Sequence, residues 1–227
     1  GMKEFSDLLY TGETGEKFKA FYRLLTEYNE KVNLTRITDE EECRVKHFLD
    51  SLAGEKYFPQ GELCAEVGSG GGFPSIPLMI VRQDLKFTLI ESVAKKCVFL
   101  EKAVSELELN AKVICMRAED AAREKTMREA FGVCCARAVA RLNTLSEYCI
   151  PLVKTGGRFI AYKGSAAQEE IAEAQHALEV LGAREIASEN FLLSEEAGER
   201  TLFVAEKVKP TPAAYPRGRG KERSKPL

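Results

Sequence analysis

An apolar segment leads directly into a glycine-rich turn at Cys64-Ala65-Glu66-Val67-Gly68-Ser69-Gly70-Gly71-Gly72-Phe73-Pro74. The residues before the turn are typical of a buried strand, and the apolar residues 76–81 after it are typical of a buried helix. Glycine accepts positive φ and lets a ligand approach the backbone where a Cβ would clash. The free N–H groups at the start of the helix face the same space. This succession predicts a site for a nucleotide-like ligand.

A second apolar segment, Phe87-Thr88-Leu89-Ile90, ends at Glu91, whose carboxylate can accept both hydroxyls of a ribose. Dinucleotide-binding enzymes and S-adenosylmethionine-dependent methyltransferases both combine a glycine turn with such an acid. A dinucleotide needs an open helix N-terminus for its pyrophosphate, but Phe73, Pro74 and Pro77 crowd the turn and remove two N–H donors. S-adenosylmethionine has no phosphate, so the turn favours a methyltransferase. An NAD-dependent oxidoreductase is the alternative.

Length and composition set the class of protein. A chain of 227 residues with 44% hydrophobic residues can form one α/β domain with an extension. No apolar run approaches the roughly 20 residues that span a bilayer, and no signal-peptide pattern is present. Seven cysteines without regular spacing favour reduced thiols over disulfides or a metal site. We therefore expect a cytoplasmic monomer with no membrane partner and no metal.

Strand-like and helix-like segments alternate from Cys64 to Ala205, which predicts a Rossmann-like α/β fold. Its sheet should be doubly wound and mostly parallel, with ligands at the carboxyl ends of the strands. An apolar stripe with helical spacing between Phe18 and Val32 predicts a helical cap over this domain. The predicted divisions are an N-terminal helical cap (1–60), a ligand-binding domain (61–208) and a basic tail rich in proline and glycine (209–227).

Candidate site residues follow the third, fourth and fifth predicted strands. Ala118 and Glu119 follow the third strand, where an acid or a backbone N–H can hold the amine and ring nitrogens of adenine. Arg137 follows the fourth strand, and a cation there suits a substrate that carries phosphate or a carbonyl edge. Lys163 follows the fifth strand and is either a second phosphate contact or an exposed lysine at a strand end.

A cation at Arg137 is unusual for amino-group methylation, in which an acid or amide orients the amine. Guanine N7 needs no general base, because its in-plane lone pair is already nucleophilic and catalysis can consist mainly of alignment. Methylation of a ring carbon would need a cysteine nucleophile, but Cys134 and Cys135 fit buried apolar positions in a strand. Another RNA or a small molecule stays open as the acceptor.

The formal net charge of −2 argues against a nucleic-acid partner, yet the residues from 207 onward are strongly basic. Prolines and glycines interrupt this segment, which predicts an extended tail that is free to lie along a phosphate backbone. The candidate RNA contacts in the tail are Arg217, Arg219, Lys221 and Arg223. A solvated tail that aids solubility is the alternative. A non-catalytic rRNA-binding module would need only these cations and those at the strand ends, Arg137 and Lys163.

Nearly the whole chain resembles the RsmG or GidB family, the bacterial small-subunit ribosomal RNA guanine-N7 methyltransferases. The resemblance rests on Asn29, Asn33-Leu34-Thr35, His47-Phe48-Leu49-Asp50-Ser51-Leu52, the glycine turn, Arg117-Ala118-Glu119, Arg137-Ala138-Val139-Ala140, Lys163-Gly164 and the basic tail. It implies a class I methyltransferase fold with S-adenosylmethionine as cofactor. It also implies methyl transfer to N7 of one guanine in a 16S rRNA loop near the decoding centre, on the rRNA or the small subunit.

The resemblance places the cofactor contacts on particular residues. These are Gly68, Phe73, Ala118, Glu119 and Arg137, with Ser69 and Gly70 in the same turn and Glu91 at the ribose position. Arg137 is then expected beside the methionine end of the cofactor and the target base, where it positions the reactants.

Three residues depart from the family pattern, and a fourth follows it without a catalytic role that the chemistry requires. The chain has Glu66 where the family often has Asp, Ser75 where many members have Gly, and Ala136 where Ser is usual. His47 belongs to the family pattern, although N7 attack gives it no proton to remove. It is either a structural residue or part of the RNA entrance.

Overall fold

Helices and strands alternate along the chain in a computed structural model that describes residues 2–137, 139–165 and 167–227. The strands are β1 (Leu63–Val67), β2 (Lys86–Glu91), β3 (Ala111–Cys115), β4 (Phe131–Arg137), β5 (Val153–Lys163), β6 (Ala183–Ser194) and β7 (Gly198–Lys207). The helices are α1 (Met2–Leu8), α2 (Gly12–Val32), α3 (Glu40–Cys43), α4 (Asp50–Leu52), α5 (Ser75–Val81), α6 (Ala94–Glu106), α7 (Ala118–Ala121), α8 (Leu142–Cys149), α9 (Gln168–Glu173), α10 (Gln175–Leu181) and α11 (Lys221–Ser224). A π-helical segment, Arg44–Leu49, joins α3 to α4, and short 3-10 turns occupy Glu55–Tyr57 and Ile150–Leu152.

The strands form one sheet in the order β3-β2-β1-β4-β5-β7-β6. Strands β1 to β5 are parallel to their neighbours, whereas β7 pairs antiparallel with β5 and with β6. The chain order reverses between β1 and β4, and ligands of open α/β sheets bind at such a switch point. The predicted doubly wound, mostly parallel fold is confirmed.

Both faces of the sheet are covered, because successive residues of β4 belong to different cores. Val133 and Cys135 lie in the core with α2, α5 and α6, whereas Cys134 and Ala136 lie in the core with α8 and α10. This alternation is the period of two expected of a strand buried on both sides. It also accounts for the two adjacent cysteines as buried packing residues.

The N-terminal helices pack directly on the glycine turn. Phe21 of α2 stacks on Phe48 at 5.3 Å between ring centroids and lies 5.6 Å from Phe73. The predicted stripe of α2 is therefore buried mainly against α5 and α6, and its core is continuous with that of the larger domain. The division at residue 60 stays a prediction. None of the helices in the described part of the chain combines the length and the apolar character that a membrane span requires.

The prediction of an extended, free C-terminal tail is wrong. Residues 208–227 fold back along the protein, and Thr211 donates its hydroxyl proton to the Leu181 carbonyl at 2.7 Å. Arg217 makes an ion pair of 2.8 Å with the fully buried Glu147 of α8. A buried carboxylate needs a partner of opposite charge. The C-terminal segment supplies that partner and therefore contributes to the stability of the fold.

Candidate functional site

The glycine turn and Glu91 are joined by hydrogen bonds. Gly68 and Gly70 have φ of 66° and 52°, which favour glycine. The Gly70 N–H donates to Glu91 Oε1 at 2.8 Å, and the Val93 N–H donates to Oε2 at 2.9 Å. Each carboxylate oxygen has a second lone pair, so the fixed Glu91 can still accept a pair of ribose hydroxyls.

Two departures from the family pattern, Glu66 and Ser75, contact each other. Glu66 is fully buried and accepts hydrogen bonds from the Ser75 N–H at 2.7 Å and from the Ser75 hydroxyl at 2.6 Å. Burial raises the pKa of Glu66 to about 7 despite these hydrogen bonds. The longer acid and the added hydroxyl therefore form one unit beneath the glycine turn.

A pocket opens beyond the carboxyl ends of β1, β2 and β3. Its lining residues are Val67, Gly68, Ile90, Ser92, Met116, Arg117, Ala118, Glu119, Val139, Tyr148 and Arg223. The predicted residues Gly68, Ala118 and Glu119 thus come together, next to Glu91. Burial raises the pKa of Glu119. Tyr148 was not predicted, because in the sequence it is one more apolar position in α8.

Arg137 is the centre of a cluster that joins β4 to the helical cap. Its Nη2 lies 2.8 Å from His47 Nδ1, and its Nη1 donates to Asp50 Oδ2 at 3.1 Å and to the Lys46 carbonyl at 3.2 Å. The guanidinium carbon lies 4.7 Å from the centroid of the Phe73 ring. Ala138, which follows in the family motif, lies outside the described residues.

His47 is neutral and has a defined tautomer. Burial, together with the positive charge of Arg137, lowers the pKa of His47 to about 3. A guanidinium can only donate, so Nδ1 accepts from Arg137 and the ring proton is on Nε2. Nε2 lies 2.7 Å from the Thr35 hydroxyl, and the ring stacks on Phe73 at 4.4 Å. His47 therefore orients Arg137 and is not an acid or base near neutral pH.

A second pocket opens on the other side of the Arg137 cluster. It is lined by Ile37, Lys46, His47, Asp50, Arg137, Tyr162, Lys163, Gly164 and Arg200. Register pairs Glu66 of β1 with Cys135 of β4, so Gly68 and Arg137 lie at neighbouring strand ends. The ends of β1 and β4 are therefore adjacent, with Gly68 lining the first pocket and Arg137 lining the second.

The predicted phosphate contact Lys163 and the unpredicted Arg200 differ in how far their charges are balanced within the protein. Lys163 is 8% exposed and pairs with Glu170 at 2.7 Å, so its charge is neutralised within the protein. Arg200, which sequence reasoning missed, lines the second pocket and lies 3.9 Å from Asp50. In the sequence it is one polar residue in an alternating strand, which carries no signal of a site.

The tail cations separate into different environments. Arg217 is bound to Glu147, whereas Arg219 and Lys221 are exposed. Arg223 lines the first pocket. The sequence grouped the four together as candidate RNA contacts because only their charge was visible.

This sheet order, with a glycine turn after β1 and an acid at the end of β2, defines a class I S-adenosylmethionine-dependent methyltransferase. Among solved structures, the fold is similar to Burkholderia thailandensis 1,6-didemethyltoxoflavin-N1-methyltransferase with bound S-adenosylhomocysteine. That likeness has a TM-score of 0.57 at 10% identity and covers 84% of this chain and 90% of that one. M. jannaschii TYW2 in complex with AdoMet gives 0.53 at 15% identity, over 70% and 77% of the two chains.

The chain belongs to the GidB family, described as rRNA small subunit methyltransferase G, whose model matches residues 14–200. Two curated relatives carry the name ribosomal RNA small subunit methyltransferase G. The one from Brevibacillus brevis is 47% identical over 220 residues, which cover 96% of this chain and 92% of the relative. The one from Lactobacillus acidophilus is 46% identical over 218 residues, covering 93% and 90%.

The cofactor of this enzyme is S-adenosylmethionine, and the residues present fit it. A Cβ added at Gly70 would meet only the Gly68 carbonyl, at 3.8 Å, so the turn leaves room beside it. Glu91 has acceptor lone pairs that a ribose could use, and Ala118 and Glu119 line the pocket together with Ile90 and Ser92, the residues on either side of Glu91. When bound, the cofactor supplies an electrophilic methyl group.

Proposed function

We propose that this enzyme transfers the methyl group of S-adenosylmethionine to N7 of one guanine in a 16S rRNA loop near the decoding centre. Support comes from the family description and the relatives' names, which refer to the rRNA of the small subunit. A substrate of this kind agrees with the cations that line the second pocket. The proposal includes a cytoplasmic location and action as a monomer without a metal.

The observation that favours N7 as the acceptor is that Arg137 is held by Asp50 and by a neutral His47. Methylation of an exocyclic amine needs a group that orients the amine and removes a proton. Here the position beside the β1–β4 switch point holds a guanidinium, fixed by Asp50 and by a neutral His47. N7 loses no proton when it is methylated, so a fixed donor suffices.

Arg137 has donors available for the base. Three hydrogen bonds to Lys46, His47 and Asp50 use three of its five N–H groups within the described part of the chain. The others can donate to guanine O6, the acceptor that distinguishes guanine from adenine on this edge. Arg137 then orients the ring while N7 stays free to attack the methyl carbon. Alignment of N7, carbon and sulfur is the main catalytic contribution.

Labelled methyl transfer tests the proposal. Small ribosomal subunits and naked 16S rRNA, both from cells that lack this protein, are incubated with labelled S-adenosylmethionine, and the product is mapped by cleavage at 7-methylguanine. Label at a single guanine N7 is the expected result, and the better substrate shows when in assembly the enzyme acts. Absence of label on both substrates, while S-adenosylhomocysteine still binds, would assign the enzyme to a different acceptor.

A further inference from the structure

The C-terminal segment 208–227 reaches the cofactor pocket. It runs from the end of β7 along α8, and one of its residues, Arg223, stands among the residues that line the pocket beyond β1, β2 and β3. The other candidate cofactor contacts belong to the sheet or to the segments that directly follow its strands. The contacts of the tail indicate that it also contributes a residue to this pocket.

The tail is anchored by an ion pair between the half-buried Arg217 and a fully buried carboxylate. Glu147 of α8 has no exposed surface, and its Oε2 accepts the backbone N–H of Arg217 at 2.8 Å. The Arg217 Nη2 donates to Glu147 Oε1 at 2.8 Å. Because releasing Arg217 would leave an unpaired buried carboxylate, the docked state is favoured.

A second anchor lies beside Arg223. Glu222 is fully buried, and its Oε2 accepts the Gly218 N–H at 2.6 Å, which closes the turn before α11. Its carbonyl accepts the hydroxyl of Thr144 at 2.8 Å. The backbone is therefore fixed at the residue that precedes Arg223, and the direction of the Arg223 side chain is set by the fold.

Arg223 spans the rim of the pocket. Its guanidinium carbon lies 5.8 Å from the centroid of the Tyr148 ring, and its Nη2 donates to the Val139 carbonyl at 3.3 Å. It is exposed on the outer side, whereas Tyr148 is 7% exposed. The same pocket contains Glu119, next to the ribose acid Glu91, so Arg223 faces the adenosyl end of the site.

We propose that Arg223 is a cofactor-binding residue, which covers the adenosyl end of S-adenosylmethionine, and that the docked tail forms one wall of this pocket. The proposal deepens the proposed function and rests on its cofactor. A guanidinium is planar and stacks on aromatic rings, as adenine would require. An RNA phosphate is disfavoured here, because the Glu119 carboxyl shares the pocket. Arg223 therefore acts on the cofactor rather than on the RNA.

Binding of S-adenosylhomocysteine, measured by calorimetry on the full chain, tests this inference without methyl transfer. Arg223→Ala should weaken the affinity about tenfold, the size of a partly desolvated guanidinium–aromatic contact. Arg223→Lys keeps the charge but not the plane, so it should recover only part of the loss. Lys225→Ala removes a positive charge from an exposed position directly after α11 and should bind like the parent.

Unchanged S-adenosylhomocysteine affinity in Arg223→Ala would overturn the inference, and so would full recovery by Arg223→Lys. If Arg223→Ala instead weakened binding of a 16S rRNA fragment alone, the residue would be an RNA contact. Melting of the ligand-free variants checks that each is folded. The outcome is separate from that of the proposed function, since loss of cofactor affinity stands whichever acceptor is methylated.

Discussion

The Nη2 atom of Arg137 lies 2.8 Å from the Nδ1 atom of His47, although 90 positions separate the two residues in the chain. Since the guanidinium is a permanent donor, it fixes the histidine as a neutral acceptor. The histidine in turn fixes the plane of the guanidinium, and Asp50 fixes its other edge. The end of β4 and the π-helical segment Arg44–Leu49 thus hold the two side chains in one fixed arrangement.

Replacement of Arg137 by alanine should remove most of the activity. The variant loses the donor that orients the base, and we expect methyl transfer to fall about 100-fold or more, as when a single donor is removed from a preorganised site. Single-turnover rates on small subunits measure the effect. Arg137→Lys keeps the charge but not the fork that contacts His47 and Asp50, so it should not restore the rate. Near-normal turnover of either variant would remove Arg137 from the site.

The neutral state of His47 predicts a pH dependence of stability. The folded protein resists protonation of His47 until the pH approaches its lowered pKa of about 3, whereas the unfolded chain takes up the proton near 6.5. Between these values the unfolded state binds more protons, so the free energy of unfolding falls as the pH falls. The slope from this group is at most about 1.4 kcal/mol per pH unit.

Urea unfolding between pH 4 and 7 measures that slope. His47→Gln should lower it by nearly one proton over the window, because glutamine does not titrate. Equal slopes for the parent and His47→Gln would mean that His47 is accessible to protons in the folded state.

Gly70→Val should abolish binding of S-adenosylhomocysteine, since its methyl groups would occupy the space beside the turn. Calorimetry measures the loss. Gly156→Val is a matched control, because Gly156 also has positive φ, at 90°, with nothing within 4 Å of an added Cβ, but lies in β5 away from the carboxyl ends of the strands. The control should share the backbone strain yet bind the ligand. Retained affinity in Gly70→Val would refute the proposed turn.

Arg200 and Lys163 should differ in their effect on RNA binding. The Nη1 atom of Arg200 donates to the uncharged carbonyls of Ala197 and Glu199. Its Nε lies 3.9 Å from the Asp50 carboxylate, which is already paired with Arg137, so we expect the positive charge of Arg200 to be available to a phosphate. Arg200→Ala should weaken binding of a 16S rRNA fragment about tenfold and reduce the salt slope by about one. Lys163→Ala should change the slope little, because Glu170 neutralises Lys163. The reverse order would restore Lys163 as the phosphate contact.

The parts of this molecule that the sequence predicted are those encoded locally. The glycine turn, the alternation of strands and helices, and Glu91 each depend on neighbouring residues and on rules of parallel sheets. The Arg137–His47 pair and the Glu66–Ser75 pair depend on which distant residues the fold brings together. Arg200 carried no local signal. The family resemblance pointed to His47, but only the structure gives it a role.

The prediction of a free tail was wrong for the same reason, because the partner of Arg217 lies far away in the sequence. The composition of residues 209–227 shows many cations, but it does not show that one of them, Arg217, forms an ion pair with Glu147, which is buried in α8. Arg217→Ala should lower the free energy of unfolding by about 3 kcal/mol, the cost of leaving a buried carboxylate unpaired. Chemical denaturation measures this loss. Arg219→Ala, an exposed cation of the same segment, should cost little.

The double variant Arg217→Met with Glu147→Leu separates the anchor from its charge. Replacing both members of a buried ion pair by apolar residues of similar volume is often neutral or stabilising. We therefore expect this variant to recover most of the stability lost by Arg217→Ala and to keep the tail docked. If Arg217→Ala were as stable as the parent, Glu147 would not need its partner. The docking of the tail would then have to depend on other contacts, such as those of Thr211 and Glu222 and the hydrogen bonds from Arg128 to the tail carbonyls.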